Sequence, residues 1–229
     1  MSPFELWFDS PRRERILRYA ERVATRAQEF NLVSKRDLDV FVEKHVGAAL
    51  GSLLALKSGP DVVWVDVGSG AGLPGLVLKI WAPEHAVALV EASGKRCLFL
   101  EETARALGLD VAIHQKRGEE VTDGDLAPSA GTGSPSDGPS PDRQREILMR
   151  AVSPLDKALA WVPGLLRPGD RWHLYGGPDW RIHLDHVSKG LASAGLLFEE
   201  CLEIPWAPGR LLIFRRLSVA GPGAEAVDR

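Results

Sequence analysis

A chain of 229 residues, 45% hydrophobic and 26% charged, is long enough to bury one sizeable core and does not demand two full domains. No apolar run follows a basic start in MSPFELWFDSPRR, and no stretch approaches the roughly twenty apolar residues that span a bilayer, so a cytoplasmic protein without a membrane partner is expected. The two cysteines, Cys97 and Cys201, lie far apart and lack metal-ligand spacing, so neither a disulfide framework nor a metal site is expected.

Pro11 to Phe30 reads as an amphipathic helix with Ile16, Tyr19, Ala20, Val23, Ala27 and Phe30 on one face. Beside that face Arg12, Arg15, Arg18, Arg22 and Arg26 share about a third of the circumference. Such a stripe is either a solvated face, with Glu14 and Arg18 as an i,i+4 pair, or a surface for nucleic-acid phosphates. Charge segregation favours phosphates: the whole chain is net −3, while residues 1–36 carry eight basic and five acidic side chains. A second helix is predicted from about Asp39 to Ser58, so that residues 1–58 form a basic helical extension.

The core begins with Val62, Val63, Trp64, Val65 and Val67, a β-branched and aromatic run too short for a helix, which predicts a buried parallel strand. It runs into DVGSGAGLPG, Asp66 to Gly75. Gly68, Gly70 and Gly72 there permit positive φ and close approach of a ligand, and Pro74 suits the first turn of a helix. About twenty residues on, a strand from Ala86 to Val90 ends in Glu91, whose carboxylate is placed to hold the two hydroxyls of a ribose. Gly70 to Gly75 also fits the dinucleotide pattern GxGxxG, but the strand stops near Val67, two residues too early for it. The acidic Asp66 would repel a pyrophosphate and attract an amine, which favours S-adenosylmethionine over a nicotinamide cofactor.

A helix from Gly94 to Leu107 and a strand from Val111 to Gln115 complete the cofactor half, residues 59–121, with Arg117, Gly118 and Glu119 at the strand's carboxyl end. Residues 122–145 are rich in Gly, Pro, Ser and Asp and read as a flexible insertion. Residues 146–217 supply the second half: a strand from Ile147 to Val152, a helix from Leu155 to Leu166, a strand from Arg171 to Tyr175, a helix near Asp179 to Ala194, and closing strands Phe198 to Ile204 and Arg210 to Leu217. Residues 218–229 are expected as a flexible tail. By analogy of architecture, the fold class is α/β: a class I methyltransferase, Rossmann-like seven-stranded sheet with an N-terminal helical extension.

In order and spacing, Asn31-Leu32, Glu43, His45, DVGSGAGLPG, Glu91-Ala92-Ser93, Gly94-Lys95-Arg96, Phe99-Leu100, Arg117-x-Glu119 and Arg150-Ala151 resemble the RsmG (GidB) family of bacterial ribosomal RNA methyltransferases, over about residues 31–155. The resemblance implies methyl transfer from S-adenosylmethionine to N7 of a guanine in 16S ribosomal RNA, with the RNA or the small ribosomal subunit as partner. It implies cofactor contacts at Gly68, Leu73, Glu91, Ala92, Ser93, Gly118, Glu119 and Arg150, to which the residue reading adds Asp66 and Gly70. Arg150 is the candidate catalytic residue, touching cofactor or target base. Candidate RNA contacts are Arg15, Arg18, Arg22, Arg26, Lys35, Arg36, His45, Lys95 and Arg96; His45 also reads as a structural residue, and Lys95 and Arg96 as solvated charges. The chain departs from the family at Ala48-Ala49, where Asp-Ser is expected, at Gln144-Arg145 for Phe-Asp, and at Gly176-Gly177 for Lys-Gly. A methyltransferase for a small molecule or protein, and a non-catalytic RNA-binding relative, are the alternatives. Guanine N7 already offers a lone pair, so no base is needed and positioning supplies most of the rate.

Overall fold

A computed structural model describes residues 10–126, 143–150, 154–204 and 209–218. The strands are β1 (Val62–Val67), β2 (Ala86–Glu91), β3 (Ala112–Gln115), β4 (Gln144–Met149), β5 (Arg171–Gly176), β6 (Leu196–Glu203) and β7 (Arg210–Arg216). They form one sheet in the order β3-β2-β1-β4-β5-β7-β6, parallel except for β7, which runs antiparallel to both β5 and β6. All six residues of β1 are buried because the sheet is covered on both faces. Val62 and Trp64 enter one apolar cluster, while Val63, Val65 and Val67, pointing the other way by the period of two, enter the second.

The first face is covered by α1 (Ser10–Phe30), α4 (Gly75–Trp81) and α5 (Gly94–Leu107). As the periodicity predicts, α1 buries Ile16, Tyr19, Val23, Ala27 and Phe30. Each large side chain so buried contributes about 1.5–3 kcal/mol. On the opposite face lie α6 (Leu155–Ala158), α7 (Val162–Leu165) and α8 (Trp180–Ser193).

Three elements differ from expectation. The helix expected from Asp39 to Ser58 is a series of short pieces: α2 (Lys35–Leu38) precedes a π-helical turn at Phe41–Val46, then α3 (Gly47–Gly51) and a 3-10 turn at Ser52–Leu54. The Gly47 N–H bonds to Val42 O as well as Lys44 O, so the hydrogen-bond ladder changes register at His45. The helix expected from Leu155 to Leu166 is divided into α6 and α7, with Pro163 near the start of the second piece. β4 starts at Gln144, earlier than expected, because Arg145 is accommodated in the interior: its backbone N–H donates to Asp170 Oδ1 at 2.8 Å and its guanidinium to Leu165 O at 3.2 Å. That trims the expected insertion. At its other end Asp123–Leu126 is a 3-10 turn that buries Leu126, while 127–142 and the expected tail at 219–229 lie outside the described residues.

Candidate cofactor cleft and its rim

The site lies at the carboxyl ends of β1, β2 and β3. Gly68 and Ser69 N–H groups donate to Val90 O at 2.8 and 3.1 Å, which ties the glycine loop to β2. Gly70 and Gly72 take φ of +55° and +95°, a region that side-chain-bearing residues enter at a cost. Tyr19 of α1 is fully buried and donates from its hydroxyl to Ala71 O at 2.9 Å, so the N-terminal helix holds the loop from behind. Burial, with the Asp66 charge assisting, drives the Tyr19 phenol far above its ordinary value, and it stays a donor at every working pH.

Glu91 is the central polar group, 5% exposed. Its Oε2 accepts from Gly70 N at 2.8 Å and its Oε1 from Ser93 N at 2.9 Å, so one carboxylate joins the glycine loop to the start of α5. Ser93 caps α5, its hydroxyl accepting from Arg96 N. Around Glu91 opens a cleft of about 310 Å³ lined by Val67, Gly68, Val90, Glu91, Ala92, Arg96, Lys116, Arg117, Gly118, Glu119 and Trp161. A Cβ at Gly118 would stand 2.5 Å from the Trp161 ring, so the indole lies against bare backbone there. The volume suits a small organic ligand, and the pairing of a buried carboxylate with an aromatic wall suits a nucleoside. The cleft thus gathers Gly68, Glu91, Ala92, Gly118 and Glu119 from the sequence reading, with Ser93 at its edge.

Asp66, Gly70, Leu73 and Arg150 do not line it. Asp66 is 0% exposed, and its Oδ2 accepts from Gly75 N at 2.9 Å beneath the helix start, so it supports the loop. Burial pushes its carboxyl up to about 7. Leu73 belongs to the apolar cluster on the first face. Arg150 follows Met149, the register partner of Val67, and therefore stands at the level of Gly68 at the sheet's carboxyl edge. Its guanidinium lies over the Tyr175 ring at 5.7 Å and donates to His45 Nδ1 and, at 3.4 Å, to His45 O.

The arginine stripe lies against α5. Arg18 donates to Ala106 O at 3.0 Å, Arg22 to Thr103 Oγ1 at 3.2 Å, and Arg26 to Glu102 Oε2 at 3.2 Å with Glu29 as a second carboxylate partner. Since α5 starts at the cleft with Gly94 and rises about 1.5 Å per residue, these contacts stand roughly 12–18 Å down its flank from the cleft. Arg15, half-buried, is one turn farther along α1 from Arg18. Arg96 and Arg117 line the cleft and Lys95 precedes Arg96 at the start of α5; the Arg96 guanidinium donates to Asn31 O at 2.9 Å and lies 3.9 Å from Glu91 Oε1, while Lys35 and Arg36, both exposed, follow Asn31 at the start of α2. The segment from Asn31 to Asp37 consequently bridges from the start of α5 toward Arg150. Trp161 and Asp37 were not singled out by sequence reasoning: one sits in an apolar helical run, the other in an ordinary charged turn. Among the described residues no group of three or more His, Cys, Asp or Glu side chains could hold a metal, and no helix is long and apolar enough to cross a membrane.

The sheet order and the carboxyl-edge cleft define a class I methyltransferase fold. Solved structures agree: mitomycin 7-O-methyltransferase MmcR (TM-score 0.54, 16% identity, 75% of this chain and 53% of that one) and M. jannaschii TYW2 in complex with AdoMet (TM-score 0.51, 15% identity, 76% and 78%) share the fold. The family described as rRNA small subunit methyltransferase G (GidB) matches residues 12–196. Proteins named ribosomal RNA small subunit methyltransferase G from Mycobacterium sp. (strain KMS) and Mycobacterium marinum are 33% identical over 186 residues (78% of this chain, 72% of the relative) and 34% identical over 225 residues (96% and 91%). The chain belongs to this family, the S-adenosylmethionine-dependent rRNA methyltransferases of the small subunit.

Proposed function

We propose that this protein methylates N7 of a guanine in 16S ribosomal RNA, in the cytoplasm. The family match across residues 12–196, laid over a nucleoside-sized cleft with cations on its rim, carries the reading. When bound, S-adenosylmethionine supplies an electrophilic methyl group. Glu91 has a second lone pair on each oxygen, so it can accept from ribose hydroxyls while still holding Gly70 and Ser93. Gly68 admits the ligand close to backbone, Gly118 lets the Trp161 indole stand as the cleft wall, and Ala92, Ser93 and Glu119 complete the surroundings. Asp66, Gly70 and Leu73 act from behind, fixing the loop. Arg150, whose guanidinium can only donate and keeps further N–H groups beside those given to His45, has the chemistry to hold guanine O6 so that the N7 lone pair meets the methyl group. Because N7 carries no proton, the side chains position the two reactants and abstract nothing. Incubating small ribosomal subunits with the protein and S-adenosylmethionine should yield N7-methylguanine at one position of 16S RNA, read by mapping modified bases; methylation at another atom, or none, overturns the reading.

For RNA docking we assign the exposed cations Lys35, Arg36 and Lys95 first, with Arg96, which also lies 3.9 Å from Glu91, and His45 behind them and Arg15 and Arg18 as a distal extension. Arg22 and Arg26 already face Glu102, so they release fewer counterions. Lys35→Gln with Lys95→Gln should reduce the slope of log affinity against log salt by about one to two, across unrelated RNA sequences. Arg22→Gln with Arg26→Gln should change it by less. A salt titration with the reverse ranking would return the docking surface to the α1 stripe.

A further inference from the structure

A guanidinium can only donate, so the contact of Arg150 with His45 Nδ1 requires that nitrogen to be an unprotonated acceptor. The ring proton is then on Nε2, which lies 3.3 Å from Asp37 Oδ1, within reach of the carboxylate's charge although the N–H is not aligned on it as a hydrogen bond. Asp37 is itself fixed: Lys44 Nζ donates to Oδ1 at 2.8 Å and Ser34 Oγ to Oδ2 at 2.6 Å. These contacts, Lys44 foremost, hold its carboxyl well below the usual range, so it is ionised at neutral pH. Burial and the neighbouring Arg150 charge lower the His45 value, which keeps the imidazole neutral. Three side chains from three parts of the chain thus form a series in which each partner admits one protonation state of the next.

We propose that Asp37 is a positioning residue for Arg150, acting through His45: the carboxylate fixes the Nε2–H tautomer, and the freed Nδ1 lone pair holds the guanidinium against Tyr175. With the tautomer reversed, Nδ1–H would face the guanidinium N–H groups, and Arg150 would leave its place at the carboxyl edge of β4. The inference rests on the proposed role of Arg150 in holding the target base. It explains why the helix ladder changes register at this point, since the π-helical turn carries both Lys44 and His45 toward Asp37.

The test has two arms on the full-length protein. In the first, 15N-histidine labelling resolves the six histidines, and His45 is assigned by its loss in His45→Gln. The wild type at neutral pH should show His45 with Nδ1 unprotonated, and Asp37→Asn should convert it to a mixture of tautomers. In the second arm, Asp37→Asn should lower kcat for small-subunit methylation by about tenfold or more, the scale of a lost hydrogen bond to a charged group, with the S-adenosylmethionine Kd unchanged. A wild-type His45 protonated on Nδ1 overturns the series, as does an unchanged kcat or a parallel loss of cofactor affinity in Asp37→Asn. A wild type that fails to methylate the RNA overturns the functional reading instead, and the spectrum still decides whether Asp37 sets the tautomer.

Discussion

Glu91→Ala is expected to weaken S-adenosylmethionine binding by about 1.5–3 kcal/mol, roughly ten- to a hundredfold in Kd, because it removes a buried charged acceptor from the cleft floor. Two backbone donors lose their partner as well, Gly70 N and Ser93 N, at present 2.8 and 2.9 Å from the carboxylate. The loop and the start of α5 are then no longer joined, so the loss includes a less ordered site in addition to the missing ribose contact. Glu91→Gln separates the two contributions. It keeps one carbonyl oxygen for one of the amides, but its NH₂ must face the other, so its affinity should fall between wild type and alanine. Isothermal calorimetry measures both, and an unchanged Kd in Glu91→Ala would place the ribose elsewhere in the cleft.

What could be read from the sequence follows the range of the forces involved. β1, the glycine loop, β2 with Glu91 at its end, and α5 from Gly94 to Leu107 were legible, because apolar runs, glycines and a serine cap are signals within a few residues. The start of β4 at Gln144 is hidden in the sequence because Arg145 and Glu146 have the composition of surface charges. In the structure Glu146 is 0% exposed, with His173 Nε2 2.6 Å and Arg171 3.6 Å from its Oε2, and partners more than twenty residues away cannot be read from spacing. The same limit applies to the site. The arginine face of α1 is legible as a face, but Glu102 and Thr103, which engage it, belong to another helix. Asp66 illustrates a subtler point: its sign and place at the strand end were legible, while its burial beneath Gly75 depends on packing. Arg150 was legible as a candidate, yet its contact with His45 joins residues 105 positions apart.

Gly75 and Gly70, five residues apart in one loop, should fail in opposite ways when replaced by valine. At Gly75 a Cβ would stand 2.8 Å from Asp66 Oδ2 and closer still to Leu89 Cδ2, both in the packed interior under the start of α4. Both side chains are fully buried, so the overpacking cost should reach about 3 kcal/mol, and the disturbed Gly75 N–Asp66 contact leaves a buried carboxyl short of a donor. For a protein of this size that corresponds to a fall of roughly 6–12 °C in Tm. At Gly70 the nearest atom to an added Cβ is Gly68 O at 3.8 Å, so space is available and the penalty is the φ of +55°, about 1–2 kcal/mol confined to the loop. Gly70→Val should therefore keep a near-wild-type unfolding curve while losing S-adenosylmethionine binding, as its N–H turns away from Glu91. Thermal unfolding and calorimetry on the two variants together check this: a Gly70→Val protein that binds cofactor normally, or a Gly75→Val protein as stable as wild type, would contradict the arrangement of loop, carboxylates and helix start on which the cleft depends.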